Sequence, residues 1–336
     1  MTTLNDVAKR AGVSPMTVSR VINNSGYIHK KTRERVEQAI AELGYVPNAL
    51  ARSLRFKQTK TLALLISDIT NPFFTTLARG VEDAASEQGF SVILCNTDES
   101  RDKEAQYLNV VIQKQVDGVL LVPAVSSVES GKFLQDCGVP FVVLDRRAPG
   151  LEVDIVRCDT EIGAYQLTNH LIELGHRRIV ALSGPMQVTT AADRIAGYHR
   201  ALAEAGLEDF AREYYGGFTV KSGYDLTKRV LASEEATALL AANNFIVFGA
   251  LRALKEANLR VPDDISVVTF DDLLEVMGVE PFLTVVRQPA YDLGRRATQL
   301  MLDRLSGAAT GAPQEILLPT QLIVRQSSAA PRAQPS

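Results

Sequence analysis

The 336-residue sequence predicts an α/β protein with an N-terminal three-helix helix-turn-helix domain and a two-lobed core built on doubly wound parallel sheets. Helix signals alone occupy about the first sixty residues, whereas short apolar strand segments alternate with helical segments of roughly 10–15 residues from Thr61 onwards. Such alternation is typical of parallel sheets that are covered by helices on both faces. About ten strand and helix units exceed one sheet of ordinary size, so we expect two lobes.

Two short helices are predicted at the N-terminus. Thr3 and Asp6 have the spacing of a capping pair, and Gly12 is placed to end the first helix. Ser14, with Pro15 after it, is placed to begin the second helix. Two helices joined by so short a turn form a helix-turn-helix.

A third helix is predicted from about Thr32 to Leu43, with Gly44 at its end. Its apolar residues Val36, Ile40 and Leu43 recur at helical spacing, so they would cover the first two helices. The predicted strands of the core include TLALLISDI, FSVILCN, GVLLVPA, FVVLD, IVALSG, ISVVTFDD and the region around FIVFG.

Charge is divided unevenly along the chain. Residues 1–60 carry eleven Lys or Arg and four Asp or Glu, a net charge of +7, and the remaining 276 residues carry −10. A basic head on an acidic body indicates that only the head binds a polyanion.

Membrane and export signals are missing from the sequence. No apolar run reaches the roughly 18 residues that a membrane span needs, and the first ten residues lack the apolar region of a secretory signal. Cys95, Cys137 and Cys158 have no metal-site spacing, so we interpret them as small core residues in a reducing compartment. We expect a cytoplasmic protein that needs no membrane, metal or cofactor.

Enzymatic activity is not expected. The sequence has no glycine-rich phosphate loop after a strand, no GxSxG and no HExxH. The four histidines form no ligand-spaced cluster, and we interpret His170 and His176 as surface residues at a helix end.

The segments TLNDVAKRAGVSPMTVSRVIN and KTRERVEQAIAELGYVPNALARSL resemble the DNA-binding head and hinge of the LacI/GalR family, and the similarity continues over nearly all of the chain. The resemblance implies a head at 1–46, a hinge helix and linker at 47–59, and an effector-binding core at 60–329 that is similar to periplasmic binding proteins. The N-lobe would comprise 60–159 and 290–317, the C-lobe 160–289 and 318–329, and 330–336 would be a disordered tail.

By this resemblance the second helix enters the major groove, where Pro15, Met16 and Arg20 face base edges. Arg20 can donate two hydrogen bonds to guanine, and Met16 can contact a thymine methyl group. Residues suited to phosphate contacts are Thr3, Ser14, Thr17, Ser19 and Asn23.

The third helix departs from the family pattern, since His29, Lys30 and Lys31 stand where the family has a serine cap. Cations oppose the dipole at a helix N-terminus, so we expect these residues to contact the DNA backbone. In the hinge, which begins at Asn48 and ends at Arg55, Leu54 matches the family residue that wedges between base pairs and kinks the minor groove. Paired hinges imply a homodimer and a palindromic operator.

The resemblance also extends to ribose-binding members of the periplasmic group. A sugar site needs carboxylates that accept hydrogen bonds from diols, donors that complete the network, and aromatic rings that cover the sugar faces. The ends of parallel strands between two lobes are the expected place. The matching residues are Asn71, Phe73, Phe74, Asp145, Arg146, Arg194, Phe218, Asn243, Asp271 and Gln288.

These matches favour ribose or a related pentose as effector. Thr269 and the FIVFG segment depart from the usual pattern and would reshape the pocket, so other aldoses, sugar acids and nucleosides stay open. The function implied is a transcriptional repressor that a small sugar releases from its operator. Co-repressed or activating regulation, a phosphoprotein co-effector, sugar transport and an α/β enzyme are the alternatives.

Overall fold

The computed structural model describes residues 2–46, 58–233, 235–272 and 281–332. It divides into two compact units, Met1–Thr59 and Lys60–Ser336. The hinge residues singled out from the sequence, Asn48, Leu54 and Arg55, lie outside the described residues.

The head contains α1 (Leu4–Ala11), α2 (Pro15–Ile22) and α3 (Lys30–Leu43), which confirms the predicted helix-turn-helix with a third helix. Thr3 and Asp6 form the predicted capping box, and Ser14 accepts a hydrogen bond from the backbone N–H of Thr17. The predicted start of α3 at Thr32 is two residues late. His29 stands at the N-cap and gives no side-chain cap, so the usual serine signal does not mark the helix start.

The core elements follow in chain order. The N-lobe begins with β1 (Thr61–Ile66), α4 (Pro72–Glu87), β2 (Ser91–Asn96), α5 (Arg101–Gln113), β3 (Gly118–Leu121), α6 (Glu129–Asp136), β4 (Phe141–Leu144) and β5 (Asp154–Cys158). The C-lobe contains α7 (Thr160–Glu173), β6 (Ile179–Ser183), α8 (Thr189–Glu204), β7 (Arg212–Tyr215), α9 (Val220–Ser233), β8 (Ala238–Ala241), α10 (Asn244–Glu256), β9 (Ser266–Phe270) and β10 (Thr284–Arg287). The chain then returns through α11 (Ala290–Ser306) and β11 (Glu315–Leu318) in the N-lobe, and ends with β12 (Gln321–Ile323) in the C-lobe.

Each lobe is built on one sheet, which confirms the predicted two-lobed α/β core. The N-lobe order is β11-β5-β4-β3-β1-β2 and the C-lobe order is β12-β10-β9-β8-β6-β7. The strand pairs are parallel except β10 with β12. Parallel strands end at a common edge, so each lobe presents its strand-end loops at one edge.

The returning helix α11 joins the N-lobe by close packing against α4. A Cβ at Gly294 would lie 2.2 Å from the carbonyl oxygen of Leu77, so glycine allows this backbone approach. Leu318, which we assigned to the C-lobe from the sequence, pairs with Cys158 in the N-lobe sheet.

The FIVFG segment is not a strand, so that prediction was wrong. It lies in α10, which Asn243 caps by accepting a hydrogen bond from the Ile246 N–H, 2.9 Å away. A Cβ at Gly249 would lie 2.0 Å from the carbonyl oxygen of Val220 in α9. Because the first turns of α10 are almost fully buried, their apolar run imitates a buried strand.

His176 is buried, which corrects the surface interpretation. Its ring nitrogens lie 2.9 Å from Thr237 Oγ1 and 2.8 Å from the carbonyl oxygen of Ala329. The chain after β12 therefore packs on the C-lobe. Of the predicted disordered tail, residues 330–332 are described and Arg332 pairs with Asp264 at 2.6 Å, while 333–336 lie outside the described residues.

Cys137 is exposed, unlike the buried Cys95 and Cys158, so its interpretation as a core residue was wrong. Among the described residues, no helix has the length and apolar character to cross a membrane. Within the same residues, His, Cys, Asp and Glu form no group of three or more that could hold a metal ion.

Candidate functional site

A cleft between the strand ends of the two lobes forms a cavity of about 340 Å³. All ten effector-site residues predicted from the sequence line it, with five contributed by each lobe. Those of the N-lobe are Asn71, Phe73, Phe74, Asp145 and Arg146, and those from the C-lobe and its boundary are Arg194, Phe218, Asn243, Asp271 and Gln288.

Two carboxylates occupy equivalent places in the two lobes. Asp145 follows β4 and Asp271 follows β9, and both have a positive φ, 62° and 68°. The N–H of Asp145 donates to Val156 O at 3.0 Å, and that of Asp271 donates to Val286 O at 3.1 Å. A positive φ is costly for residues other than glycine, and such backbone is concentrated at functional sites. The neighbouring strands hold both carboxyl groups at the cleft.

Arg146 is held rigidly beside Asp145. Its two terminal nitrogens each donate to one carboxylate oxygen of Glu99 at 2.6 Å, and Nη1 also donates to the carbonyl oxygens of Pro123 and Ala124. The side chain is 2% exposed and its Nε is a buried donor without a hydrogen-bond partner. This Nε lies 3.9 Å from Oδ2 of Asp145, so Arg146 and the cleft carboxylate form one charged cluster.

The C-lobe side has the same character. Arg194 donates from Nη1 to the carbonyl oxygen of Ala242 and stacks on the Phe270 ring at 4.1 Å, while its Nε is a buried donor without a partner. Gln288 donates to Asp271 at 2.6 Å, and its Oε1 is an unpaired acceptor. Buried polar groups without partners are costly, so a ligand with both donors and acceptors would stabilise this cleft.

Burial dominates the electrostatics of the site. Desolvation raises the pKa of Asp145 to about 6, although Arg146 and Arg194 oppose the shift. Desolvation also raises the pKa of Asp271 and lowers that of Arg194. The cavity lining contains five acidic residues and two arginines; the acidic residues are Asp68, Asp98, Glu99, Asp145 and Asp271.

Apolar and amide groups complete the lining. The Phe73 and Phe74 rings lie 5.1 Å apart in an edge-to-face arrangement. Asn71 caps α4 by accepting from the Phe73 N–H at 3.0 Å, and also accepts from Asn244 of the C-lobe at 3.0 Å. Asn71 and Asn243 therefore both have capping roles as well as places in the cavity wall.

Some lining residues were missed by the sequence analysis, among them Asp68, Asp98, Glu99, Thr190 and Phe245. Asp98 and Glu99 lie two and three residues after the end of β2, so the expectation that ligand groups lie at strand ends covers them too. Thr190 and Phe245 lie in helices and carry no comparable signal.

A second set of contacts joins the lobes at the start of α8. The Thr189 N–H donates to Ser126 Oγ at 2.9 Å, and the Arg147 N–H donates to Thr189 Oγ1 at 2.8 Å. Arg147 also forms an ion pair with Asp193, which precedes the cavity residue Arg194 on the same helix. The same helix therefore holds the ligand-facing arginine and part of the lobe contact.

The candidate DNA-reading residues of the head lie on its surface. Met16 is 56% exposed and Arg20 is exposed one turn later, while Val18 and Val21 on the other face of α2 are buried. Ser14 and Thr3 are exposed caps, and the other candidates Pro15, His29, Lys30 and Lys31 are also exposed, with Thr17, Ser19 and Asn23 half-buried. Asn23 donates to the carbonyl oxygen of Ser19 at 2.7 Å, so part of its role is to end α2.

A helix-turn-helix head and a two-lobed core with a polar cleft define a DNA-binding regulator that responds to a small molecule. Residues 3–48 match the family model described as bacterial regulatory proteins, lacI family. Residues 59–326 match the model of periplasmic binding proteins and the sugar binding domain of the LacI family. The chain belongs to the LacI family and is a DNA-binding transcriptional repressor of that family, not an enzyme.

Individual relatives and solved structures agree with this assignment. A ribose operon repressor from Halalkalibacterium halodurans is 38% identical over 329 residues, with 98% of this chain and 97% of that protein covered. A lac repressor dimer bound to operator and the anti-inducer ONPF superposes with a TM-score of 0.87, at 30% identity and with coverage of 98% and 99%. An Enterococcus faecium LacI family regulator with bound ribose gives a TM-score of 0.73, at 33% identity and with coverage of 81% and 100%.

Proposed function

We propose that this protein is a homodimeric repressor that ribose, or a related pentose, releases from a palindromic operator. The observation that carries the proposal is the cleft, where all ten predicted effector residues line one cavity. Carboxylates, unpaired donors and an unpaired acceptor meet there, and a pentose offers hydroxyl groups that both donate and accept.

The charge of the lining favours a neutral ligand. Five acidic residues outnumber two arginines, and both terminal nitrogens of the Arg146 side chain already donate hydrogen bonds to Glu99. A phosphate or carboxylate group would enter a cavity in which acidic groups are in excess, so a sugar phosphate or sugar acid fits less well than an uncharged sugar. A relative named a ribose operon repressor and a LacI family regulator with bound ribose support the choice of a pentose.

The head supplies the DNA contacts in this proposal. Met16 and Arg20 lie one turn apart on the exposed face of α2, the geometry that a recognition helix needs in the major groove. Lys30 and Lys31 are exposed at the start of α3, which has no acidic residue in its first turn. Replacing both lysines by Ala should reduce the salt dependence of operator binding, because each lost phosphate contact lowers the slope by about 0.9. An unchanged slope would remove these residues from the interface.

A homodimer is supported by the edge of the N-lobe sheet. Ile93 and Leu94 of the edge strand β2 are 36% and 40% exposed, and Val110 of α5 is 45% exposed. Exposed apolar side chains on an unpaired edge strand favour pairing with another protein surface. In the proposed dimer, a ligand that contacts both lobes stabilises one angle between them. The change in lobe angle reaches both heads and weakens DNA binding. A coupling free energy of about 1–3 kcal/mol between ligand binding and DNA binding suffices for useful induction.

Calorimetry on the full chain tests the pocket assignment. D-ribose should bind, and Asp271→Ala should abolish binding, because Asp271 is the C-lobe carboxylate of the cleft. Asp272→Ala is the matched control: Asp272 pairs with Arg287 and Arg325 outside the cavity lining, so this change should lower stability but keep ribose binding. Tighter binding of ribose 5-phosphate than of ribose, or undiminished binding to Asp271→Ala, would overturn the assignment.

A further inference from the structure

A second cavity, of about 240 Å³, lies in the N-lobe between α5 and α6. It shares no lining residue with the effector cleft. Apolar atoms form most of its surface, and four of the lining residues are apolar, namely Ala105, Leu108, Val125 and Phe133. The polar lining residues are Arg101 and Glu129, which pair at 3.7 Å, together with Glu104, Asn109, Ser127 and Ser130.

A buried carboxylate lines this cavity. Glu104 is 3% exposed, and accepts hydrogen bonds from the Ser130 hydroxyl and the Ala124 N–H. Burial raises the pKa of the Glu104 carboxyl, with these two donors opposing the shift. Each carboxylate oxygen accepts one of these bonds and keeps a further lone pair, so a ligand donor can be added.

Backbone hydrogen bonds of Ala124 link a residue of the second cavity to a residue of the effector cleft. The N–H of Ala124 donates to Glu104, and the carbonyl oxygen of the same residue accepts from Arg146 Nη1 at 2.9 Å. Arg146 lines the effector cleft. A change at Glu104 therefore acts on the loop that positions Arg146.

We propose that the α5–α6 pocket is a second ligand site, which binds a small apolar ring carrying one hydrogen-bond-donating group, such as a benzylic alcohol or benzylic amine, and that its occupancy changes the affinity of the effector cleft. The apolar walls take the ring and Glu104 accepts from the donor group. The same carboxylate disfavours an anion, because a second negative charge beside it would be desolvated and repelled. A buried charged group in an apolar pocket is the pattern expected of a binding site.

The site is tested with the full-length protein and three probes of one size: benzyl alcohol, benzylamine and benzoate. By ligand-observed NMR, the alcohol and the amine should bind, and benzoate should bind at least about tenfold more weakly. Absence of binding by the first two probes, or equal binding of benzoate, would overturn the proposed ligand class.

Location is tested by filling the pocket. Asn109→Trp places a large ring at a lining position and should weaken benzyl alcohol binding about tenfold or more. Gln106→Trp is the matched control, since Gln106 is exposed on the same helix and does not line the pocket. Ala105→Leu fills the cavity with less bulk and should act in the same direction. Equal effects of the Asn109 and Gln106 variants would place the probe elsewhere.

The coupling is tested by the ribose affinity measured with and without saturating benzyl alcohol. We expect a change of about threefold or more, with the reciprocal change in probe affinity, because coupling between sites is symmetrical. An unchanged ribose affinity would refute the coupling. This last step alone rests on the proposed function, so a protein that binds the probe but not ribose would retain the second site and lose the pentose assignment.

Discussion

The head and the core place their functional residues in opposite environments. In the head, Met16 and Arg20 are exposed, and the buried residues around Val18 and Val36 only hold the helices together. In the core, Asp145 and Arg194 are both less than 9% exposed and take part in the packing of the lobes. The difference follows from the partners, because a DNA duplex is read by a protruding helix and a small sugar must be enclosed. Substitutions of exposed head residues such as Met16 and Arg20 should therefore affect binding alone, and those of the cleft residues should affect binding and folding together.

The largest effect is expected for Arg194→Ala. This change removes a buried cation that lies near Asp145 and Asp271 and donates to Ala242 O, so it leaves buried carboxylates unbalanced. The free energy of unfolding should fall by about 3–5 kcal/mol in urea titrations, with loss of ribose binding. Arg200→Ala is the control on the same helix; its partly exposed pair with Glu161 should contribute at most about 1 kcal/mol. Equal stability losses would contradict the assigned environment of Arg194.

Arg20→Ala should separate binding from folding. Loss of a bidentate contact to guanine should weaken binding to the preferred operator by about 1–3 kcal/mol. Because Arg20 is exposed, the free energy of unfolding should change by less than about 0.5 kcal/mol. Fluorescence anisotropy with labelled operator and a urea titration measure the two quantities. A uniform loss on specific and random DNA would instead assign Arg20 to the phosphates.

Ribose affinity should depend on pH through Asp145. Its pKa is raised from 3.8 to about 6, so its proton is bound more tightly in the folded protein, and the stability that this proton contributes is lost as pH rises from about 4 through 6. Ribose needs the ionised acceptor, so affinity should fall as pH drops through 6. The loss should reach about tenfold at pH 5, where roughly a tenth of the carboxyl is ionised. Calorimetry of Asp145→Asn should give weaker binding with a smaller pH dependence, because the Asp145 titration is removed while Asp271, whose pKa is also raised, remains. A wild-type pH dependence no larger than that of the variant between pH 5 and 7 would contradict this role.

The smallest effect is expected at the contact between the lobes. Arg147 is 40% exposed and pairs with the more buried Asp193, so the ion pair is partly screened. In a double-mutant cycle with Arg147→Ala and Asp193→Asn, the ribose affinity should show a coupling of about 0.5–1 kcal/mol. The same cycle with Arg200→Ala and Glu161→Gln, which lie within one lobe, should show none. Additive effects in both cycles would exclude Arg147 and Asp193 from control of the lobe angle.

Short-range patterns in the sequence predicted most of the fold, and strand-end positions together with the family resemblance predicted the cleft. Capping residues mark the head helices, and strand-end polar residues such as Asp145 and Asp271 mark the cleft. The FIVFG segment was misassigned because burial of α10 by neighbours far along the chain removes its amphipathic signal. His176 was misjudged for a related reason, since its partner Ala329 lies 153 residues away. Features created by long-range packing leave little local trace.

Operator release by ribose is the most direct test of the proposal that a pentose induces this repressor. An operator selected from random DNA with the full-length protein would be labelled, and its dissociation constant measured by anisotropy with and without D-ribose, with ribose 5-phosphate as the control ligand. We expect ribose to weaken operator binding by about 5–150-fold and Asp271→Ala to remove this response. Ribose that binds the protein but leaves operator affinity unchanged, or that tightens it, would contradict induction by a pentose.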